Sequence, residues 1–134
     1  MKVLVVEDEA LVALTIEDVL AEAGYDVVGI ADRPSEALEL ARRHEPDLAL
    51  VDVRLADGGD GIALAPLLLA IAPMRILFAT ANCGEVRERA RFGHGCLSKP
   101  FQASWLIDAV RAVMARTEAD IPGYFPLPLE QRAS

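Results

Sequence analysis

The chain is read as an α/β protein, a three-layer sandwich around a parallel sheet of five strands, and three observations predict it. Short, wholly apolar runs at residues 3–6, 48–51 and 76–79 have the make-up of strands buried on both faces. Between them lie stretches whose apolar residues recur at helical three- and four-residue steps. Strand and helix alternate five times, and parallel strands joined by right-handed crossovers carry helices on both faces of the sheet.

The first strand, 3–6, stops on Glu7-Asp8-Glu9. In the helix at 10–23 the spacing of Leu11, Leu14, Ile16, Val19, Leu20 and Ala23 predicts an inward face, and Gly24 is placed as its C-terminal cap. Residues 25–31 alternate weakly and read as the second strand. Asp32-Arg33-Pro34-Ser35 opens the next helix, with proline tolerated in a first turn. That helix reaches His44, with Ala37, Leu38 and Ala41 inward and Glu39 and Arg43 paired outward.

The central strand is Leu48-Ala49-Leu50-Val51, which ends on Asp52. An Asp57-Gly58-Gly59-Asp60-Gly61 loop leads to a helix over 62–70, where Pro66 is expected to kink or shorten it. The strand at 76–79 ends on Thr80, and Asn82 is placed to cap a charged helix over 84–91. Gly93 and Gly95 turn the chain into a strand at 96–98 that ends on Lys99-Pro100. The last helix, 104–116, sets Trp105, Leu106, Ala109, Val110, Val113 and Met114 on one face. Residues 117–134 contain Pro122, Pro126 and Pro128 and show no period; the apolar and proline residues of 121–129 either dock as an extended segment on the domain or a partner or, the reading preferred, form a loose terminus of ordinary chain-end character. The expected organisation is one domain over 1–116 followed by this proline-containing tail, which is too short to be an effector domain.

Composition narrows the function classes. At 134 residues and 53% hydrophobic, the chain is long enough for one core without staples. A formal net charge of −8 argues against nucleic-acid binding, which needs a basic face, and suits a protein that collects a divalent cation. Residues 62–74 are apolar but hold Pro66 and Pro73 and are too short to cross a bilayer. Cys83 and Cys96 show no metal spacing and read as reduced thiols of a cytoplasmic protein. No signal peptide is visible. His44 and His94 lack metal-ligand context and read as surface residues.

The chemistry sits at the strand ends. Open α/β sheets place their ligands beyond the C-terminal ends of their strands. Glu7, Asp8 and Asp52 at adjacent tips repel one another unless a cation lies among them, and Mg²⁺ takes one or two carboxylates plus waters and phosphate oxygens. Thr80 offers a hydroxyl donor and Lys99 a compact positive charge. Together they fit a phosphoryl group held on an aspartate. Taken singly, the acids are also helix caps, Thr80 a β-branched strand residue and Lys99 a solvated lysine; their common position at one end of successive strands sets them apart.

The order Glu7-Asp8, Asp52, Thr80, Lys99-Pro100 resembles the receiver domain of bacterial two-component response regulators, over residues 1 to about 116. The resemblance implies the flavodoxin-like strand order 2-1-3-4-5. It implies that Asp52 accepts a phosphoryl group from a phosphohistidine on a sensor histidine kinase or a histidine phosphotransfer protein. It further implies that Asp8, Asp52 and the backbone carbonyl of Arg54 bind Mg²⁺, with Glu7 acting through water, while Thr80 follows the phosphoryl group and Lys99 pairs with it. The Lys99-Pro100 bond is often cis in such domains. A stand-alone signalling protein is expected, a monomer or weak dimer acting through protein contacts, catalysing only its own phosphorylation and dephosphorylation.

Two positions depart from the pattern. Cys96 stands three residues before the lysine, where most receivers carry the aromatic residue that swings inward on activation. Phe78-Ala79-Thr80-Ala81-Asn82 resembles a proteobacterial subgroup with a Phe-Ala-Thr-Gly signature in which that aromatic is commonly absent, although Ala81 replaces the glycine. Arg54, two residues after Asp52, either reaches the phosphoryl group or faces solvent. Arg87, Arg89 and Arg91 form either a partner-binding patch or a solvated face.

Other classes fit less well. A haloacid-dehalogenase-type phosphatase wants an acid at position 54, and a flavodoxin-like cofactor binder wants hydroxyls and glycines where Glu7-Asp8-Glu9 stands. No GxxxxGK phosphate loop occurs. A phosphate sink or relay, or a receiver fragment of a hybrid kinase, would carry the same residues.

Overall fold

Apolar runs bounded by turn residues become strands, and the helical spacings become helices, in a computed structural model that describes residues 1–127. The order is β1 (Lys2–Val6), α1 (Ala10–Glu22), β2 (Asp26–Ala31), α2 (Pro34–His44), β3 (Leu48–Val51), α3 (Gly61–Ile71), β4 (Arg75–Thr80), α4 (Cys83–Arg89), β5 (Gly95–Ser98), α5 (Ala103–Ala115) and β6 (Tyr124–Pro126). The sheet runs β2-β1-β3-β4-β5-β6, parallel from β2 to β5. This is the expected five-strand order with one strand added.

Period-two alternation explains why the runs are wholly apolar. Val3, Val5, Leu48, Leu50 and Leu77 pack with Ile16 and Leu20 of α1 and Leu106, Ala109 and Val110 of α5. Leu4, Val6, Ala49, Val51, Ile76 and Phe78 face α2, α3 and α4 through Ala37, Ala41, Leu68 and Val86. Helices on both faces leave no side of these strands to water.

The parallel register carries every strand's C-terminal end to one edge of the sheet. Val6 is level with Val51, Val51 with Phe78 and Thr80 with Ser98. The ladder then continues into the loops: the Asp52 N–H donates to the Val6 carbonyl at 3.0 Å, and the Lys99 N–H to the Thr80 carbonyl at 3.0 Å.

Several expectations need correction. The tail is not loose over residues 124–127: β6 pairs antiparallel with β5, and Leu127 is fully buried against the Phe78 side of the sheet. Gly95 makes room for it, since a Cβ there would lie 2.9 Å from the Tyr124 ring. The expected chain-end character of residues beyond Leu127 lies outside the described residues. On α1 the inward residues are Ala13, Ile16 and Leu20, while Leu11 is 81% exposed and Leu14 lies outward beside it. A small residue at 13 lets the helix sit close to the sheet, and the two leucines expected inside are turned away. Pro66 neither shortens nor ends α3, which continues to Ile71.

The cysteines are not separate reduced thiols. Cys83, the first residue of α4, and Cys96, buried in β5, are joined as a disulfide, with Cα atoms 6.3 Å apart. His94 is no free surface residue either; its Nδ1 accepts the Ile76 N–H at 2.9 Å, tying the turn before β5 to β4. Among the described residues, no helix is long and apolar enough to cross a membrane.

Candidate functional site

Glu7, Asp52, Thr80 and Lys99 each follow or end a parallel strand, so the sheet brings them to one place. Glu7, Asp52 and Thr80 are the buried polar or charged residues among those described. Burying a carboxylate is expensive unless it is paired. The pairing is supplied by Lys99, whose ammonium bridges Glu7 Oε1 and Asp52 Oδ2, the latter at 2.8 Å. Its side chain is 18% exposed, so the ammonium that pairs the two acids is itself largely shielded from water. The remaining carboxylate oxygens are held by backbone: Asp52 Oδ1 accepts the Val53 N–H at 2.6 Å and Glu7 Oε2 the Glu9 N–H at 3.1 Å.

Electrostatics follow from this geometry. Burial pushes the Glu7 carboxyl above its ordinary range; Lys99 and the Glu9 N–H pull it back in part, and the Asp52 charge adds to the rise. For Lys99 burial works against the charge, but its bonds to Asp52 and Glu7 outweigh that and raise the ammonium above its ordinary value. One cation shared by two buried acids thus sets the charge balance of the pocket.

Asp8 completes the acidic group from the exposed side. One oxygen each from Glu7, Asp8 and Asp52 lie within 4.8 Å of one another, a spacing that fits a small divalent cation with oxygen ligands. Thr80, fully buried at the end of β4, accepts the Asn82 N–H on its hydroxyl oxygen at 3.1 Å. This bond couples the threonine to the first turn of α4. The peptide bond between Lys99 and Pro100 is cis. Gly61, at the start of α3, passes so close beneath Asp52 that a Cβ would lie 1.9 Å from the Asp52 carbonyl oxygen. The position of the aspartate therefore depends on a glycine nine residues further on.

Sequence reasoning placed these residues at one edge but missed a chain of charges beside them. Arg54 forms a backbone bridge with Asp60, and its guanidinium donates to Glu85 Oε1 of α4 at 2.9 Å. Arg89 holds the other Glu85 oxygen and also Asp60 Oδ2. Asp60 caps α3 through the Ile62 N–H at 2.9 Å, and its carboxyl lies below its ordinary value because the bonds from Arg89 and the Ile62 N–H outweigh the effect of burial. Arg54 is thus a solvent-facing residue, 65% exposed, whose guanidinium is held by Glu85 rather than by Asp52. The α4 arginines do not form one open patch: Arg89 is engaged in this chain, and the Arg87 guanidinium lies 4.0 Å over the Phe125 ring of β6.

Comparison with known proteins agrees with this geometry. Residues 3–111 match the family model described as the response regulator receiver domain. The chain is 40% identical over 119 residues to the transcriptional regulatory protein PdtaR of Mycobacterium tuberculosis, covering 86% of this chain and 57% of that protein. It therefore spans a little over half the length of that relative. It is 27% identical over 116 residues to the chemotaxis protein CheY of Bacillus subtilis, covering 84% of this chain and 97% of CheY. The solution structure of the PhyR response regulator REC domain of Erythrobacter litoralis superposes with a TM-score of 0.77 at 28% identity, over 89% of this chain and 93% of that one.

Proposed function

The chain belongs to the response regulator receiver domain family, and on that premise we propose that it accepts a phosphoryl group on Asp52 from a phosphohistidine of a sensor histidine kinase or phosphotransfer protein. The observation that carries this reading is the buried Asp52 carboxylate at the end of β3, paired through Oδ2 with Lys99 and flanked by Glu7 and Asp8. In transfer, Asp52 Oδ2 forms the new O–P bond while the P–N bond breaks and the imidazole leaves with the electron pair. The Lys99 ammonium, adjacent to Oδ2, is placed to pair with a phosphoryl oxygen. The Thr80 hydroxyl, one strand away, accepts the Asn82 N–H on its oxygen and keeps its own O–H, which would donate to another phosphoryl oxygen.

Mg²⁺, when bound, offsets the charge of the phosphoryl oxygens. Asp8, Asp52 and the Arg54 carbonyl would hold it, with Glu7 acting through water. The acidic spacing and the hard oxygen donors support this choice. The domain catalyses only its own phosphorylation and dephosphorylation, and its signal passes to a protein partner in the cytoplasm. A second reading, a phosphate store or relay with little movement, is favoured by two restraints on α4, the disulfide and the Arg87–Phe125 stack.

Phosphorylation by phosphoramidate, followed by intact mass in Mg²⁺ and in excess chelator, tests the proposal. One added phosphoryl group that requires Mg²⁺ supports it, and full phosphorylation in chelator refutes the metal role.

A further inference from the structure

The chain Arg54–Glu85–Arg89–Asp60 alternates in sign and ties α4 to the loop that carries Asp52. α4 has little else to hold it there. It is seven residues long, buries only Val86, and has no side-chain cap at Asn82. Its anchors elsewhere are the disulfide at its first residue and the stack of Arg87 on Phe125.

We propose that Arg54 exchanges Glu85 for the phosphoryl group on Asp52, and that this exchange loosens α4 from the β3–α3 loop. The inference rests on the reading of Asp52 as phosphoacceptor. Reach permits it, since two residues of chain span at most about 7 Å, within the length of an arginine side chain. Charge favours it, because a phosphoryl group brings close to two negative charges and three acceptor oxygens that suit a guanidinium fork. Glu85 offers Arg54 only one oxygen, the other being held by Arg89. The exchange also leaves no orphan, because Glu85 keeps Arg89, and Arg89 keeps Asp60. With Cys83 fixed to Cys96, α4 turns about its first residue rather than detaching. The device accounts for transmission in a chain with cysteine at the position where an aromatic ring would move.

The test uses beryllium trifluoride with Mg²⁺ as the probe, amide NMR of the full chain as the readout, and R54A, E85Q and E88Q as variants. Glu88 is an exposed acid of the same helix with no part in the charge chain. Arg54→Ala weakens beryllofluoride binding by about threefold, the scale of an exposed ion pair, and suppresses the shifts of α4 amides while those at Asp52 persist. Glu85→Gln frees Arg54, strengthens binding by about threefold, and moves α4 amides toward their beryllofluoride positions before the probe is added. Glu88→Gln changes neither. Equal α4 shifts in the wild type and R54A overturn the inference, as does an effect of E88Q as large as that of E85Q. A wild type that shows no shift at Asp52 overturns the phosphoacceptor reading itself and the exchange with it.

Discussion

Lys99→Ala removes the one cation between two buried acids, and the structure sets the size of the effect. Glu7 is almost wholly enclosed and Asp52 nearly so, and Lys99 bonds to both. Removing one partner of a buried pair costs about 3–5 kcal/mol. Lys99 retains some exposure, so the lower end applies, about 3 kcal/mol. With a urea slope of about 2 kcal/mol/M, the unfolding midpoint in chelator falls by about 1.5 M. Mg²⁺ then stabilises the variant more than the wild type, because the acids have lost their competing cation. At a hundredfold excess over its dissociation constant, an ion specific to the folded state restores about 2.7 kcal/mol.

The deficit also depends on pH with a defined sign. Glu7 is raised in the folded state, so the fold binds its proton more tightly than the unfolded chain does, and stability rises as pH falls through its value. Loss of Lys99 removes influences that hold Glu7 down, so in the variant this rise begins at higher pH and the deficit shrinks toward acid. On the alkaline side the raised Lys99 stabilises the wild type until pH passes its folded value, where the advantage is lost. A midpoint change below about 0.5 M (~1 kcal/mol at that slope), with no dependence on pH or Mg²⁺, would refute the reasoning.

Three other perturbations probe the supports of the site. Gly61→Ala forces a Cβ into the Asp52 carbonyl and displaces the aspartate. Misplacement of about 1 Å costs about 100-fold in rate, so phosphoramidate labelling slows by that order while the circular dichroism spectrum is retained, and a wild-type rate would contradict this. Reducing Cys83–Cys96, which are 13 residues apart, lowers stability by about 3 kcal/mol from loop entropy, read as a shift in urea midpoint. Identical midpoints with and without reductant would show that the two thiols are not joined. Ending the chain at Gly123 removes β6 and the buried Leu127, whose side chain alone contributes about 1.5–3 kcal/mol; an unchanged denaturation midpoint would show that the tail does not dock.

What was legible in the sequence follows from which forces are local. Strands buried on both faces announce themselves as apolar runs, and parallel strands bring their C-terminal residues to one edge. Glu7, Asp52, Thr80 and Lys99 could therefore be placed together before any coordinates. The α1 face was misread because the leucines outweigh Ala13 in any hydropathy pattern, although a small residue packs closest to a sheet. Strand β6 left almost no local signal: it has three residues, one of them proline, and its pairing with β5 spans some thirty positions. The apolar residues of the tail allowed docking as an alternative to a loose end, but the space that Gly95 leaves for Tyr124 and Gly93 for Leu127 shows only in the fold. The disulfide and the Arg54–Glu85–Arg89–Asp60 chain were equally hidden, since each joins residues from different elements whose meeting depends on how α4 sits on the sheet.

The central claim is that a phosphoryl group resides on Asp52. Borohydride reduces an aspartyl phosphate to homoserine, so peptide mapping after phosphoramidate treatment in Mg²⁺ and borohydride reads the acceptor position directly. The account predicts homoserine at position 52 and its absence when Mg²⁺ is chelated. Homoserine at Asp8 or any other aspartate, with Asp52 intact, would contradict it.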